Sequence, residues 1–280
     1  LTPIASLERE PDIEIEFFCD EPGRDIPPGL DRFEVAEGGR CYTAEDAYYL
    51  EFDNSLMRLR QGAPVRVEVW IRQVPETVDA EVARVTSFAV CAALRRFGLF
   101  ELHSGAVVEP DSDRGVLIVG PSGSGKSTLT YQLANAGWPY LSDDEVLLSV
   151  TEAGDQIEAR GFRSFFALRD SAGVDFKNVF EPAGVFSSTR ASSVVPGYLL
   201  FTAISGDKQT QLRELSQTET MTRLIRACPW ATYDTAIAGA NLELLSRLAR
   251  QATGFDLAAG TDLLEPGRAA ELLSPFLRQN

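Results

Sequence analysis

Alternation of apolar and polar residues marks the first quarter of the chain. Val65–Ile71 reads Val-Arg-Val-Glu-Val-Trp-Ile, Ile13–Cys19 begins with the same two-residue period, and Tyr48–Phe52 is rich in aromatic residues. A two-residue period puts successive side chains on opposite faces of a strand, and the proline and glycine clusters between these segments are typical of turns. We therefore predict a small, mostly antiparallel, β-rich unit over residues 1–76.

After residue 76 the pattern changes to helical periods and short apolar runs. Apolar residues recur at helical spacing over residues 79–97, and a strand is predicted over Leu99–Val108. Val116–Val119 is an apolar run bounded by glycines, which is typical of a buried central strand. A strand–turn–strand segment is predicted over Tyr140–Val150, and a Ser216-x-x-Glu219 capping box opens a later helix. These elements predict an α/β domain over residues 77–280.

The charge balance narrows the choice of partners. The formal net charge is −15, and residues 1–60 alone hold 15 acidic and 6 basic side chains. Such a surface repels the phosphates of nucleic acids and anionic lipids, so neither nucleic acid nor membrane is a predicted partner. The chain has no apolar stretch of membrane-spanning length, no basic start followed by an apolar segment, and no closely spaced cysteine pair. We expect a cytoplasmic protein.

One loop carries a complete nucleotide-binding pattern. Residues 120–127 read Gly-Pro-Ser-Gly-Ser-Gly-Lys-Ser, which fits G-x-x-x-x-G-K-[ST], and they lie between a predicted buried strand and a predicted helix. The glycines let backbone N–H groups point at a phosphate, Lys126 adds a mobile positive charge, and Ser127 offers a hydroxyl to Mg²⁺. We predict that ATP and Mg²⁺ bind here, with GTP left open, through Gly120, Ser122, Gly123, Ser124, Gly125, Lys126, Ser127 and Thr128.

An aspartate pair after this loop and a histidine before it are further candidates. Asp143 and Asp144 come at the end of a predicted strand, where one carboxylate could hold Mg²⁺ and the other could take a proton from an attacking hydroxyl. The alternative is that they cap a turn between two strands. His103 is the only histidine, and a lone histidine on a strand is more often a structural residue than a catalyst.

The stretch His103–Val150 resembles the catalytic core of the HPr kinase/phosphorylase family and its bacterial serine-kinase relatives. The resemblance rests on the histidine in Leu-His-Ser-Gly-Ala, the loop Gly-Pro-Ser-Gly-Ser-Gly-Lys-Ser-Thr, and the aspartate pair after Ala-Gly-Trp-Pro-Tyr-Leu-Ser. It implies a fold of the phosphoenolpyruvate carboxykinase type. It also implies that Asp143 is the general base, that His103 supports this carboxylate or meets the transferred phosphoryl group, and that Asp144 binds Mg²⁺. Family members are oligomeric, so a homo-oligomer stays open.

Together with the loop pattern, this resemblance implies catalytic roles for Asp143, His103 and Lys126 and metal binding by Ser127 and Asp144. The predicted reaction moves the γ-phosphoryl group of ATP to a hydroxyl, with serine the expected acceptor on a peptide, protein or small molecule. An arginine after residue 159 would add positive charge, with Arg160, Arg163 and Arg169 as the candidates. The alternative is a regulatory protein that binds the nucleotide as a switch and transfers nothing.

Overall fold

The structure is a computed structural model that describes residues 11–19, 26–34, 39–71, 78–162, 166–169, 177–182, 185–186 and 188–278. The chain is mixed α/β and divides into two compact units. The first unit comprises Leu1–Leu99 and Pro229–Ala240, and the second comprises Phe100–Cys228 and Asn241–Asn280. Among the described residues, no helix combines the length and the apolar character needed to cross a bilayer.

A six-stranded sheet forms the first unit. Its strands are β1 (Ile13–Cys19), β2 (Arg32–Glu34), β3 (Arg40–Thr43), β4 (Ala47–Phe52), β5 (Ser55–Arg60) and β6 (Val65–Ile71). They lie in the order β1-β6-β5-β4-β3-β2, with β1 parallel to β6 and every other pairing antiparallel. The predicted alternation in β6 is confirmed, because Val65, Val67 and Val69 are buried while Arg66 is exposed.

The helix predicted for the α/β domain belongs to the first unit instead. Helix α1 (Val78–Arg95) packs on β5 and β6, and its Val85, Ala89 and Ala92 share one buried core with Leu59 and Val67. A helix joins the unit in which its apolar face is buried. The first unit therefore extends past the predicted boundary at residue 76, and it also takes in a later segment that contains α4 (Trp230–Tyr233).

The second unit is built around a second six-stranded sheet. Its elements are β7 (Phe100–Leu102), β8 (Ser104–Val108), β9 (Gly115–Val119), α2 (Lys126–Asn135), β10 (Tyr140–Ser142), β11 (Val146–Val150), β12 (Ile157–Gly161), β13 (Phe166–Arg169), β14 (Lys177–Phe180), β15 (Ser193–Val194), β16 (Pro196–Ile204), β17 (Gln211–Glu214), α3 (Gln217–Ala227), β18 (Thr253–Ala259) and α6 (Arg268–Arg278). Helix α5 (Thr235–Gln251) begins in the first unit and ends in the second. The sheet runs β10-β8-β9-β16-β18-β17, and its three central strands are parallel. Leu133 of α2 and Leu273 of α6 are buried in the same core as Val116 and Ile118 of β9.

The strand predicted over Leu99–Val108 is two strands in two different sheets. β7 belongs to a four-stranded sheet ordered β15-β12-β11-β7, whereas β8 pairs with β9 and β10 in the larger sheet. The break falls at His103, which lies in neither strand. The chain crosses between the same two sheets again after β10, since Ser142 is opposite Ala106 and Val146 is opposite Leu102. Both crossings therefore meet at one place in the second unit.

Candidate functional site

Three glycines shape the loop between β9 and α2. Gly123 and Gly125 have φ angles of 82° and 93°, a backbone conformation that side chains with a Cβ rarely adopt. A Cβ on Gly120 would lie 2.5 Å from the Ser124 Oγ atom and 2.8 Å from the carbonyl oxygen of Thr202. The loop can therefore hold this path only with glycine at these positions.

The start of α2 is not capped by a side chain. Its N-cap residue is Gly125, no side chain accepts a hydrogen bond there, and the first turn holds no acidic residue. The N–H groups and the positive end of the helix dipole then favour an anion, and phosphate is the anion that such loops bind. Around this loop Ser122 and Thr128 are exposed, while Ser124 is buried. The donor set fits a nucleotide phosphate.

Two predicted nucleotide-binding residues bond to the loop and to β16. Lys126 is 5% exposed, and its Nζ atom donates to the carbonyl oxygens of Gly120 and Pro121 at 2.8 and 3.0 Å. The Ser124 hydroxyl lies 3.0 Å from the hydroxyl of Thr202 on β16. The lysine charge is thus held over the first half of the loop, where phosphate oxygens would meet it.

His103, Asp143 and Asp144 lie at the place where the chain changes sheets twice. The Nδ1 atom of His103 is 3.4 Å from the Oδ1 atom of Asp144, and Asp143 is almost fully buried at 1% exposure. The Ser127 hydroxyl donates to the backbone carbonyl oxygen of Asp143 at 3.4 Å. The hydroxyl of Ser142 accepts from the backbone N–H groups of Asp144 and Glu145, which fixes the turn. The residues predicted from three separate segments therefore meet beside the start of α2.

Close approach of α2 to β8 sets this arrangement. A Cβ on Gly105 of β8 would lie 2.1 Å from the Oγ1 atom of Thr130 on α2. The same hydroxyl donates to the carbonyl oxygen of Lys126 at 2.9 Å, and Thr130 is fully buried. Glycine on the strand is what lets the first turn of the helix, with Lys126 and Ser127, sit against the strand that follows His103.

A cavity of about 140 Å³ lies beside the end of the loop at Ser124 and Gly125, and we call it the apolar cavity. Its walls include Ser124, Gly125, Thr128, Leu129, Ile204 and Leu264. Ile204 and Leu264 are 66% and 60% exposed, and both contribute to the same apolar wall. An exposed apolar wall next to this glycine-rich loop suits a flat, weakly polar group such as a nucleobase.

A larger cavity of about 510 Å³ lies on the His103 side of the loop, and we call it the arginine cavity. Its walls include His103, Gly120, Pro121, Phe201, Arg223 and Arg226. Sequence reasoning missed both arginines because they come from α3, far along the chain. The available signal was their spacing of three residues on a helix that the capping box had already predicted, since residues three apart share one face. The capping box itself is present, with Ser216 and Glu219 bonded reciprocally.

Of the three arginines predicted from the sequence, Arg160 is the one whose side chain the structure describes, and it lines neither cavity. Arg160 is exposed and forms an ion pair with Glu158 on its own strand. Arg169 ends β13, which pairs with β14, and Arg163 lies outside the described residues. Arg223 and Arg226 are therefore further candidates, and the role predicted for Arg160, Arg163 or Arg169 stays a prediction.

Comparison with solved structures gives distant neighbours, one of which is an HPr(Ser) kinase/phosphatase. No family model matches the sequence, and no curated protein sequence matches it. The HPr(Ser) kinase/phosphatase from Coxiella burnetii overlaps 64% of this chain and 97% of its own, with 11% sequence identity and a TM-score of 0.36. A structural similarity with so low a TM-score and sequence identity does not establish a function for this chain.

Proposed function

We propose that this protein is an ATP- and Mg²⁺-dependent phosphotransferase that moves the γ-phosphoryl group to a hydroxyl of a peptide, a protein or a small molecule, with serine as the expected acceptor. One observation carries the proposal. A loop suited to phosphate lies beside a pair of aspartates, because the Ser127 hydroxyl donates to the backbone carbonyl oxygen of Asp143 at 3.4 Å. The carboxylate of the next residue, Asp144, lies 3.4 Å from His103.

Phosphate binding would use the loop and the start of α2. Backbone N–H groups of Gly123, Gly125 and Lys126 would face the phosphates, and the Lys126 ammonium would offset their charge. The nucleobase would lie in the apolar cavity beside Thr128. This division leaves the arginine cavity, which is lined by Gly120 and Pro121 at the start of the loop, for the acceptor.

Mg²⁺ would be held by the Ser127 hydroxyl and the Asp144 carboxylate. Mg²⁺ in phosphoryl-transfer enzymes binds through one or two carboxylates together with phosphate oxygens, and when bound it offsets the charge on those oxygens. Among the described residues no group of three or more histidine, cysteine, aspartate or glutamate side chains is arranged to hold a metal by itself. Two side-chain ligands plus the nucleotide are what this proposal requires.

The acceptor hydroxyl would give its proton to Asp143 as its oxygen attacks the γ-phosphorus. A new bond forms between that oxygen and phosphorus, the bond from phosphorus to the bridging oxygen breaks, and ADP leaves with the electron pair. The Asp143 carboxylate, which is 1% exposed, would be the proton acceptor in this step. His103 is 44% exposed in its side chain and would orient Asp144 or meet the transferred group.

The test replaces Asp143 with asparagine, which keeps the shape and removes the charge and the proton acceptor. We expect Asp143→Asn to lower transfer from γ-labelled ATP by about 10²–10⁴-fold, the usual share of general-base catalysis, while binding of a fluorescent ATP analogue stays within about threefold. His103→Ala should lower transfer less. A matched control is Asp155→Asn, an exposed aspartate that bonds to Thr151 away from the loop.

Two outcomes would count against this proposal. Full transfer by Asp143→Asn would remove the general-base role. Tight ATP binding by the wild type with no label on any hydroxyl acceptor, and with partner binding that follows the bound nucleotide, would favour the nucleotide-switch alternative.

A further inference from the structure

The arginine cavity is lined by basic side chains, whereas the chain as a whole is acidic. The protein carries 41 acidic and 26 basic side chains, with a net charge of −15. Among the described residues that line this cavity there are two arginines and one histidine, and no carboxylate. Asp256 offsets the charge of Arg223, so the exposed guanidinium of Arg226 is the positive charge that this cavity offers to an anion.

The two arginines differ in how they are held. Arg223 donates from Nη2 to the Asp256 carboxylate at 2.8 Å, and its guanidinium lies 5.8 Å from the centre of the Phe201 ring. Arg226 is exposed, one turn further along α3, and forms no ion pair with any residue in the described part of the chain. Arg223 is therefore fixed in place, and Arg226 keeps its hydrogen-bond donors for a ligand.

The position of the cavity relates these arginines to the proposed chemistry. Its walls also include His103 and the first two residues of the phosphate loop, Gly120 and Pro121. His103 in turn lies 3.4 Å from Asp144. A molecule in this cavity would thus present one end to His103, which is next to Asp144, and the other end to the guanidinium groups.

We propose that the acceptor is an anionic hydroxyl compound, and that Arg226, positioned beside Arg223, binds its carboxylate or phosphate. This inference rests on the proposed phosphotransferase function, which it extends by naming the class of acceptor. A guanidinium group matches both anions with paired N–H donors, so the shared chemistry is an oxyanion a short distance from the reacting hydroxyl. Neutral hydroxyl compounds of the same size would bind weakly.

The test measures binding separately from transfer, with three small probes that share primary hydroxyls. Glycerol is neutral, glycerate carries a carboxylate and glycerol 3-phosphate carries a phosphate. Each is titrated by ligand-observed NMR into the protein saturated with Mg²⁺ and a non-hydrolysable ATP analogue, which fills the phosphate loop. We expect at least one anion to bind about tenfold or more tightly than glycerol, and the better anion identifies the group.

Variants assign the effect to α3. Arg226→Gln should weaken binding of the preferred anion by about 10–100-fold, and Arg226→Lys should restore part of it because the charge returns without the planar fork. The matched control is Arg250→Gln, an exposed arginine on α5 that lines neither cavity, and it should behave as the wild type. The affinity for the ATP analogue should be the same in all four proteins.

Each contrary result overturns the inference. It fails if glycerol binds as tightly as the anions, if no probe binds, or if Arg226→Gln leaves anion binding unchanged. It also fails if Arg226→Gln weakens the ATP analogue instead, since the arginine would then face the nucleotide. Failure of the proposed function has a different signature, in which the anion binds through Arg226 and no acceptor receives label.

Discussion

The contact between Gly105 and Thr130 gives the sharpest prediction of stability. Gly105→Ala would bring a Cβ within 2.1 Å of the Thr130 Oγ1 atom, where ordinary contact begins near 3.4 Å. The helix must move away or the hydroxyl must turn and give up its bond to the Lys126 carbonyl. Either response disturbs the turn that carries Lys126 and Ser127.

The magnitude follows from two opposing effects. Overpacking a buried site costs about 1–3 kcal/mol, and an overlap of this size belongs near about 3 kcal/mol. Replacing glycine with alanine also reduces the freedom of the unfolded chain, which returns about 0.4–1 kcal/mol. We therefore expect a net loss of about 2 kcal/mol, which lowers Tm by about 4–8 °C in a domain of this size class.

The assay is thermal and urea unfolding of Gly105→Ala, Thr130→Ala and the double variant. Thr130→Ala removes the hydroxyl that a Cβ would strike, so the double variant should be more stable than the sum of the two single losses by about 1 kcal/mol or more. Gly239→Ala is the control, because Gly239 is an exposed helical glycine with no atom within 4 Å of an added Cβ. It should gain about 0.5–1 kcal/mol. A wild-type Tm for Gly105→Ala together with additive losses would refute the reasoning.

Two further predictions concern a carboxylate and a thiol. Hydrogen bonds from the backbone and hydroxyl of Ser216 lower the pKa of Glu219 from 4.5 to about 2. The stability that the ionised Glu219 confers is therefore complete above about pH 4.5 and is lost as the pH falls through about 2. The urea midpoints of wild type and Glu219→Gln should differ less at about pH 3 than at about pH 6, and an unchanged difference would contradict this. Cys19 is exposed and the other three cysteines are buried, and burial raises the pKa of the Cys41 thiol to about 11. A thiol-reactive reagent at about pH 8 should therefore modify one cysteine in the native protein and four after unfolding. Cys19→Ser should remove the native reaction, and fast modification of a second thiol would contradict the burial pattern.

Local sequence was enough to predict the elements whose signals lie within a few residues. The period of β6, the capping box of α3 and the strand–loop–helix arrangement around Gly120–Ser127 all appear in the structure as predicted. Each depends on backbone preference or on which face of one element is apolar, and neighbouring residues decide both. The roles predicted for the loop residues, for His103 and for the two aspartates remain predictions.

Only the tertiary structure decided which elements meet. The break at His103 could not be predicted from the apolar run Leu99–Val108, because it depends on Leu102 pairing with Val146 in one sheet while Ala106 pairs with Ser142 in the other. The position of Arg226 in the wall of the arginine cavity and the packing of α1 in the first unit likewise could not be predicted from the sequence. An apolar face in the sequence states that a surface will be buried, and it does not state against which partner. That choice is made by packing and strand pairing between segments far apart along the chain, and here it also assembles the candidate site.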